Sequence, residues 1–334
     1  MEMERKVSMS FNVYVTRRIP DAGLEIVEKH CGKYDMNPED RVLVRDELLE
    51  GVRGRDGVLC LLTDTIDADV FEAAGPQCKV FANYAVGSNN IDVEEATRRG
   101  IVVTNTPGVL TDATADLAWA LLFSTARRIA ESDKFMRTGK WTGWGPMQFL
   151  GADITDRTLG IVGAGRIGSA MAKKSCGFEM KVLYYDTVQN AELEKALGAR
   201  RVELDELLAE SDFVSVHVPL LPETTHLIDA AALKKMKKTA ILINSSRGPV
   251  VEEKALLEAL KNGTIAGAGL DVYEKEPIAE PGLEKLDNVV MIPHLGSATK
   301  ATRSKMAELA ANNLVAALKG ETPPNCINPE ALKA

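Results

Sequence analysis

The stretch from Thr158 to Asp186, TLGIVGAGRIGSAMAKKSCGFEMKVLYYD, decides the fold. Leu159, Ile161 and Val162 make an apolar strand, and Gly163, Gly165 and Gly168 make a G-x-G-x-x-G turn. Ile167, Ala170 and Met171 fall on one face of a following helix that Gly177 can stop. Val182, Leu183 and Tyr184 form a second strand closed by Asp186, 18 positions after Gly168. With 26 glycines in 334 residues, the bare glycine pattern arises by chance about 0.15 times in such a chain, so its strand-turn-helix context carries the reading. Gly163 permits the tight exit from the strand, Gly165 lets the backbone approach a pyrophosphate, and Gly168 lets helix pack on strand. The N–H groups of Arg166 and Ile167, beside Ala164 in the same turn, face an anion at the positive end of the helix. Asp186 stands where a carboxylate accepts hydrogen bonds from an adenosine ribose, so this unit is expected to hold a dinucleotide.

The chain before this stretch alternates short apolar strands with helices. FNVYVT precedes a helix from about Asp21, GVLCLL one from about Ala68, KVFANYAV one from about Val93, and IVVTNTP follows. Such β-α repetition implies a parallel, doubly wound sheet. This first unit has no glycine fingerprint of its own and should not carry the dinucleotide. Its loop Asn83-Tyr84-Ala85-Val86-Gly87-Ser88-Asn89-Asn90 is small and polar at the carboxyl end of a strand, where backbone N–H groups could hold a small anion or simply form a turn. A long helical segment is expected from Thr111 to about Met136, with Leu117, Leu121 and Leu122 on an apolar face. RTGKWTGWGPMQFLGADITDRTLG then sets Trp141 and Trp144 among glycines and a proline, a composition that suits an arm in contact with another subunit.

Beyond Asp186 the alternation resumes. A helix around Ala191 to Leu197 leads to DFVSVHVPL, read as a buried strand. The following segment gives strand, loop, helix and strand, with Asn262-Gly263 ending the helix and the GAG at 267–269 read as strand because no helix start follows. DNVVMIPHLGSAT is the last strand and its loop, and a helix from about Lys300 to Leu318 is amphipathic through Met306, Leu309, Ala310, Asn313 and Leu314.

A length of 334 is enough for two domains, each with its own core. The net charge of -8 disfavours nucleic acid and acidic membrane surfaces, which both reward a basic excess. The five cysteines, Cys31, Cys60, Cys78, Cys176 and Cys326, are scattered without C-x-x-C spacing, which fits reduced thiols and argues against a zinc site. No run approaches the roughly 18 apolar residues of a spanning helix. The N-terminus, MEMERKVSMS, lacks the apolar core of a signal peptide, so a cytoplasmic protein without metal is expected.

Hydride transfer to a carbonyl needs a cation for the substrate, a proton donor and something to tune that donor. Of the four histidines, His294 in Pro293-His294-Leu295-Gly296 follows an apolar strand, whereas His217 is read inside a strand and His30 and His226 beside helices. A lone histidine is more often structural than catalytic. Arg247, in Asn244-Ser245-Ser246-Arg247-Gly248, also follows a strand and can fork onto a carboxylate. Glu276, if it meets His294, would keep that histidine protonated.

Four motifs in order, Gly163-Ala-Gly-Arg-Ile-Gly168, Asn244-Ser-Ser-Arg247-Gly, Gly269-Leu-Asp271-Val-Tyr-Glu-Lys-Glu276-Pro and Pro293-His294-Leu-Gly296, resemble those of the D-isomer-specific 2-hydroxyacid dehydrogenases across nearly the whole chain. YAVGSNNID and RTGKWTGWGP are similar to the glyoxylate and hydroxypyruvate reductase branch. The resemblance implies that Arg247 binds the substrate carboxylate and polarises its carbonyl, that His294 donates the proton and that Glu276 is its partner. It places the Val86-Gly87 backbone on the substrate and Asp271 on the nicotinamide amide. It also sets Thr111, His217, Val218, Pro219, Ser245, Ser246 and Gly296 around the cofactor. It implies an α/β fold of two doubly wound domains, a Rossmann domain over 111–296 inserted into a flavodoxin-like substrate domain over 1–110 and 297–334. Because Asp186 repels a 2′-phosphate and no arginine stands at Thr187 or Val188, NAD is expected over NADP. The expected reaction is reduction of glyoxylate or hydroxypyruvate to the D-2-hydroxy acid by a homodimer. Dehydrogenation of phosphoglycerate or D-lactate is an alternative within the family, and a nucleotide-sensing corepressor-like protein is one from another class.

Overall fold

The computed structural model describes residues 10–333, and the elements below are those of the described residues. By contacts the chain divides into two units, Met1–Leu110 with Ala298–Ala334, and Thr111–Ser297.

The first unit runs β1 (Phe11–Val15), α1 (Asp21–Cys31), β2 (Gly32–Met36), α2 (Arg45–Val52), β3 (Gly57–Leu61), α3 (Ala68–Ala74), β4 (Val80–Tyr84), α4 (Val93–Arg98) and β5 (Val102–Thr104). Its sheet is parallel, in the order β2-β1-β3-β4-β5. Successive residues of a strand point to opposite faces, so a sheet covered on both sides needs apolar residues at every position. Val13, Val15, Leu59, Val80 and Ala82 accordingly join one core with Leu24 and Val27 of α1, while Val58, Cys60, Phe81 and Val103 join another with Leu48, Val70 and Phe71. Neither β2 nor α2 was expected. β2 is GKYDM at the sheet edge, too polar to read as a strand, and its pairing with β1 is what creates it.

The second unit runs α5 (Thr111–Ala126), α6 (Ile129–Arg137), β6 (Thr158–Val162), α7 (Arg166–Lys174), β7 (Lys181–Tyr185), α8 (Ala191–Leu197), β8 (Arg200–Arg201), α9 (Leu204–Glu210), β9 (Phe213–Val216), α10 (Ala230–Lys235), β10 (Ile241–Asn244), α11 (Glu253–Lys261), β11 (Gly267–Leu270) and β12 (Val289–Met291). The strands pair in parallel in the order β12-β11-β10-β9-β6-β7-β8. From β6 the chain winds to β7 and β8 on one side, then crosses to β9, β10, β11 and β12 on the other. That reversal is the Rossmann arrangement, and its switch point lies between β6 and β9. α12 (Lys300–Leu318) returns to the first unit, where Ala307, Ala310, Ala311 and Leu314 join the core against α1. Gly23 of α1 has no room for a side chain, since a Cβ there would stand 2.7 Å from the Ala307 carbonyl oxygen. Asn313, fully buried in α12, is satisfied by the Asn105 carbonyl at 3.0 Å and the Asn325 N–H at 3.2 Å.

Two boundaries differ from expectation. The helical segment expected from Thr111 to Met136 is two helices, because Arg128 takes a left-handed φ of 53° and ends the first run. Its guanidinium pairs with Glu131 in the first turn of α6, which fixes the new direction. α7 stops at Lys174, and Gly177 lies inside a 3₁₀ turn, Ser175–Phe178, rather than ending the helix itself. Residues 138–157, all described, hold neither helix nor strand, and Trp144, Met147 and Leu150 there are exposed. No described helix is long and apolar enough to cross a membrane.

Candidate active site

Parallel strands deliver the residues that follow them to one edge of the sheet. In the second unit Gly163 follows β6, Asp186 follows β7, His217 follows β9, Ser245 follows β10, Asp271 follows β11, and His294 lies three residues beyond β12. His217 is thus just past its strand rather than within it, although its N–H still bonds the Val162 carbonyl at 2.7 Å.

The glycine turn has the shape a dinucleotide requires. Gly163 has φ 95°, and a Cβ on it would stand 2.8 Å from the Val218 nitrogen and 2.9 Å from the His217 carbonyl carbon, so the two strand exits at the switch point lie against each other. A Cβ on Gly168 would reach the Gly163 carbonyl oxygen at 2.0 Å. Gly165, at the N-cap of α7, has no heavy atom within 4 Å of its added carbon, which leaves backbone open to a large anion. Arg166 and Ile167 open the helix there, and Ala164 donates its N–H to Asp186 Oδ2 at 2.8 Å. Asp186 Oδ1 accepts the Val188 N–H at 3.1 Å. Ser245 Oγ is buried without a protein partner, which leaves it available to a ligand. Pro219 lies two residues past His217, and Thr111 is the first residue of α5. His217 Nε2 meets Ser215 Oγ at 2.9 Å, and burial pushes its imidazole down to about 4, so the ring is neutral. The donor set fits a dinucleotide.

Arg201 is a residue the sequence reading missed. From β8 it donates to the carbonyls of Asp186 at 2.8 and 3.1 Å and of Thr187 at 3.1 Å. A guanidinium therefore stands beside the acidic residue, although none is adjacent in sequence. The signal was the pair Arg200-Arg201, whose position becomes visible only when β8 pairs with β7.

Arg247, Glu276 and His294 are brought together by three loops of this edge. His294 Nδ1 meets Glu276 Oε2 at 2.9 Å. Glu276 Oε1 accepts the Tyr273 N–H at 3.2 Å. Burial pushes the Glu276 carboxyl up, but its bond to His294 and the charges of His294 and Arg247 outweigh this and hold it below its usual value. Arg247 is half-buried; burial pulls its guanidinium down, against the nearby Glu276 charge. Asn244 shapes the arginine loop: its amide donates to the Arg247 carbonyl at 3.0 Å, and its oxygen accepts from Ser246 N at 3.1 Å and Ser246 Oγ at 2.9 Å. Gly248 cannot be anything larger, since a Cβ would fall 1.8 Å from the Tyr273 carbonyl carbon.

Asp271 is completely buried, and its carboxylate accepts the Leu295 N–H at 2.5 Å and the Gly296 N–H at 2.9 Å. It therefore holds the histidine loop, a contact the sequence did not reveal. Gly296 is tied further by Thr114, whose hydroxyl donates to its carbonyl at 3.1 Å. His226 contacts Glu274 at 3.4 Å, and His30 lies in the last turn of α1 in the other unit. Among the described residues no group of His, Cys, Asp and Glu is placed to hold a metal ion.

In the first unit, Val86 and Gly87 follow β4 in a loop braced by two asparagines. Asn83 donates to the Gly87 carbonyl and to Asn90 Oδ1, each at 3.0 Å, and Asn90 donates to the carbonyls of Leu61 at 3.0 Å and Asp64 at 3.1 Å. Asn105 adds a bond to the Val86 carbonyl at 2.7 Å. The loop is a built structure, with its carbonyls consumed from below.

Residues 119–296 match the model of the D-isomer specific 2-hydroxyacid dehydrogenase NAD binding domain. The chain is 54% identical to a glyoxylate reductase of Korarchaeum cryptofilum over 97% of its own length and 98% of the relative's. It is 53% identical to that of Thermococcus litoralis over the same shares. A solved NADPH-dependent glyoxylate/hydroxypyruvate reductase of Sinorhizobium meliloti, in complex with NADP and malonate, superposes with a TM-score of 0.83 at 32% identity, covering 97% of this chain and 98% of that one. With matches that span both units and all four motifs, the chain belongs to the D-isomer specific 2-hydroxyacid dehydrogenase family.

Proposed function

We propose that the protein reduces a small 2-oxo acid, glyoxylate or hydroxypyruvate, to the corresponding 2-hydroxy acid of the D series. The observation that carries this is the His294–Glu276 pair at 2.9 Å beside a half-buried arginine at a dinucleotide-binding sheet edge. Relatives that bear the name glyoxylate reductase at 53 to 54% identity support the choice of acid.

The nicotinamide, when bound, supplies the hydride to the carbonyl carbon. Arg247 offers a planar fork for the substrate carboxylate, and its charge draws electron density from the carbonyl. His294 has Nδ1 turned to the Glu276 carboxylate, which leaves Nε2 to donate a proton to the oxygen as negative charge develops there. Glu276 fixes the ring's tautomer and orientation, as the acidic partner of a catalytic histidine does. Val86 and Gly87 supply N–H groups to the carboxylate in this reading. His217, Val218, Pro219, Thr111, Ser245, Ser246 and Gly296 border the cofactor, and Asp271 adds to its hold on the histidine loop an acceptor for the nicotinamide amide. The second unit is then the cofactor domain and the first the substrate domain.

NADH is the preferred reductant in this reading, because Asp186 accepts ribose hydroxyls and repels a 2′-phosphate. Arg201 supports a second reading, in which its charge beside the Asp186 and Thr187 carbonyls admits NADPH. The protein is further inferred to be a cytoplasmic homodimer, with the exposed Trp141, Trp144, Met147 and Leu150 of the arm as contact residues.

The test is oxidation of NADH and NADPH against glyoxylate, hydroxypyruvate, pyruvate and phosphohydroxypyruvate. The expected result is turnover of the first two acids with a higher kcat/KM for NADH. No oxidation with any 2-oxo acid overturns the enzyme reading; preference for phosphohydroxypyruvate overturns the choice of acid; equal efficiency with NADPH overturns the cofactor preference.

A further inference from the structure

The loop that carries Glu276 is pinned at both ends by one buried carboxylate from another element. Glu253, the first residue of α11, is 5% exposed. Its Oε1 accepts the Glu274 N–H at 2.6 Å and its Oε2 accepts the Glu280 N–H at 2.8 Å. These two donors flank Glu276 on either side. The loop between them closes on itself through the Ile278 N–H and the Lys275 carbonyl at 2.8 Å. Glu274 returns the contact, its carboxylate accepting the Glu253 N–H at 2.7 Å, which satisfies one of the open donors at the start of α11. His226 leans on the same Glu274 oxygen at 3.4 Å.

A buried carboxylate costs several kcal/mol unless its oxygens are paired, so a structure retains one only where its partners are fixed. Burial pushes the Glu253 carboxyl up, and the Glu274 and Glu280 N–H groups oppose this. Serving only to start α11 would require one acceptor for that helix's own N–H groups. Both Glu253 oxygens instead face away along the chain, toward the segment bearing Glu276.

The geometry points to Glu253 as a positioning residue for the reaction: it sets the Glu274–Glu280 loop so that Glu276 meets His294. The residue it acts through is Glu276, the partner of His294, and the inference rests on the role given above to that pair. Gly248 packs against the same segment from the arginine side, where a Cβ on it would stand 2.4 Å from the Glu274 nitrogen.

Glu253→Gln keeps one accepting oxygen but turns an amide N–H₂ toward the other donor, so one of the two pins is lost. The expected result is a fall in kcat for glyoxylate of roughly tenfold, with KM for NADH changed by less than about threefold, because the cofactor turn is untouched. In a Glu276→Gln background the same substitution should lower kcat by less than about twofold, since the group being positioned has already been removed. A purely structural role would give equal losses in both backgrounds, and that result overturns the inference, as does a kcat for Glu253→Gln within about twofold of wild type. Hydrogen exchange on the unaltered protein supplies a readout free of turnover and of any variant's folding. The Glu274 and Glu280 amides should be protected, and exchange as fast as an unstructured peptide overturns the clamp. If the unaltered protein reduces no 2-oxo acid, the functional reading fails, and the exchange result alone decides whether Glu253 pins the loop.

Discussion

Replacing Gly165 with alanine adds one methyl group to the turn between β6 and α7, and the surroundings of that methyl determine what it can disturb. No heavy atom of the protein lies within 4 Å of the added carbon, and φ at this position is -70°, where L-residues are at ease. The folded protein should therefore lose nothing, and a gain of about 0.4–1 kcal/mol from the stiffer unfolded chain is expected. In the proposed function, the space the methyl enters is the approach route of the pyrophosphate to the N–H groups that open α7. Each charge-assisted bond lengthened there is worth about 1.5–3 kcal/mol, so NADH should bind roughly 10- to 100-fold more weakly. Three residues on, the same change does the opposite. A Cβ on Gly168 would stand 2.0 Å from the Gly163 carbonyl oxygen, and moving it out to ordinary contact requires helix and turn to separate by more than an ångström. Overpacking of this kind costs about 1–3 kcal/mol or more, so Gly168→Ala should lower the unfolding free energy without cofactor present. Urea unfolding of the apoprotein and calorimetric titration with NADH measure the two effects separately. If Gly165→Ala binds NADH as the parent does, the assignment of this turn to the cofactor is wrong; a loss of more than about 1 kcal/mol of apoprotein stability would instead show that the methyl does not enter open space.

Other substitutions probe the catalytic edge. Arg247→Lys preserves charge but not the fork, and kcat/KM for glyoxylate should fall by about 100-fold, with NADH affinity little altered; a loss below about fivefold would remove the bidentate role. Gly248→Ala must push its new carbon from 1.8 Å to ordinary contact with the Tyr273 backbone. A comparable loss in kcat/KM should follow, and unchanged steady-state kinetics in that variant would show that the arginine loop tolerates displacement. Glu276 has a carboxyl held below its usual 4.5 in the folded state, so its contribution to stability is present above that value and disappears as pH falls through the lower folded one. Urea unfolding from pH 6 to 3 should show the gap between wild type and Glu276→Gln closing toward the acid end; a gap independent of pH contradicts the pairing.

What could be read beforehand depended on how local the cause was. The β6-α7-β7 unit was legible because period, glycines and strand caps all lie within 29 consecutive residues. β2 and β8 were not, because their polar residues become strand only through a neighbour on the sheet. The break at Arg128 hid behind helix-forming residues on both sides, since arginine in a left-handed conformation has no compositional mark. Arg247, Glu276 and His294 could be singled out as loop residues after apolar strands, but their meeting depends on the order in which β10, β11 and β12 lie side by side. The supporting groups were the least legible. Asp271, Glu253 and the Asn83–Asn90 pair act on backbone N–H and carbonyl groups, which every sequence possesses and none displays.

The close seat of Gly248 on Tyr273 bears on how this chain can vary. Residues 248 and 273 are separated by a turn, α11 and β11, yet their backbones are in contact with no side chain between them. The intervening helix may lengthen or change its outer surface only if both ends return to the same registry. Motifs that look like independent words in the primary structure are thus halves of one joint, and a chimaera that exchanges 240–262 without 267–277 would inherit a mismatch however well each piece suits its own parent.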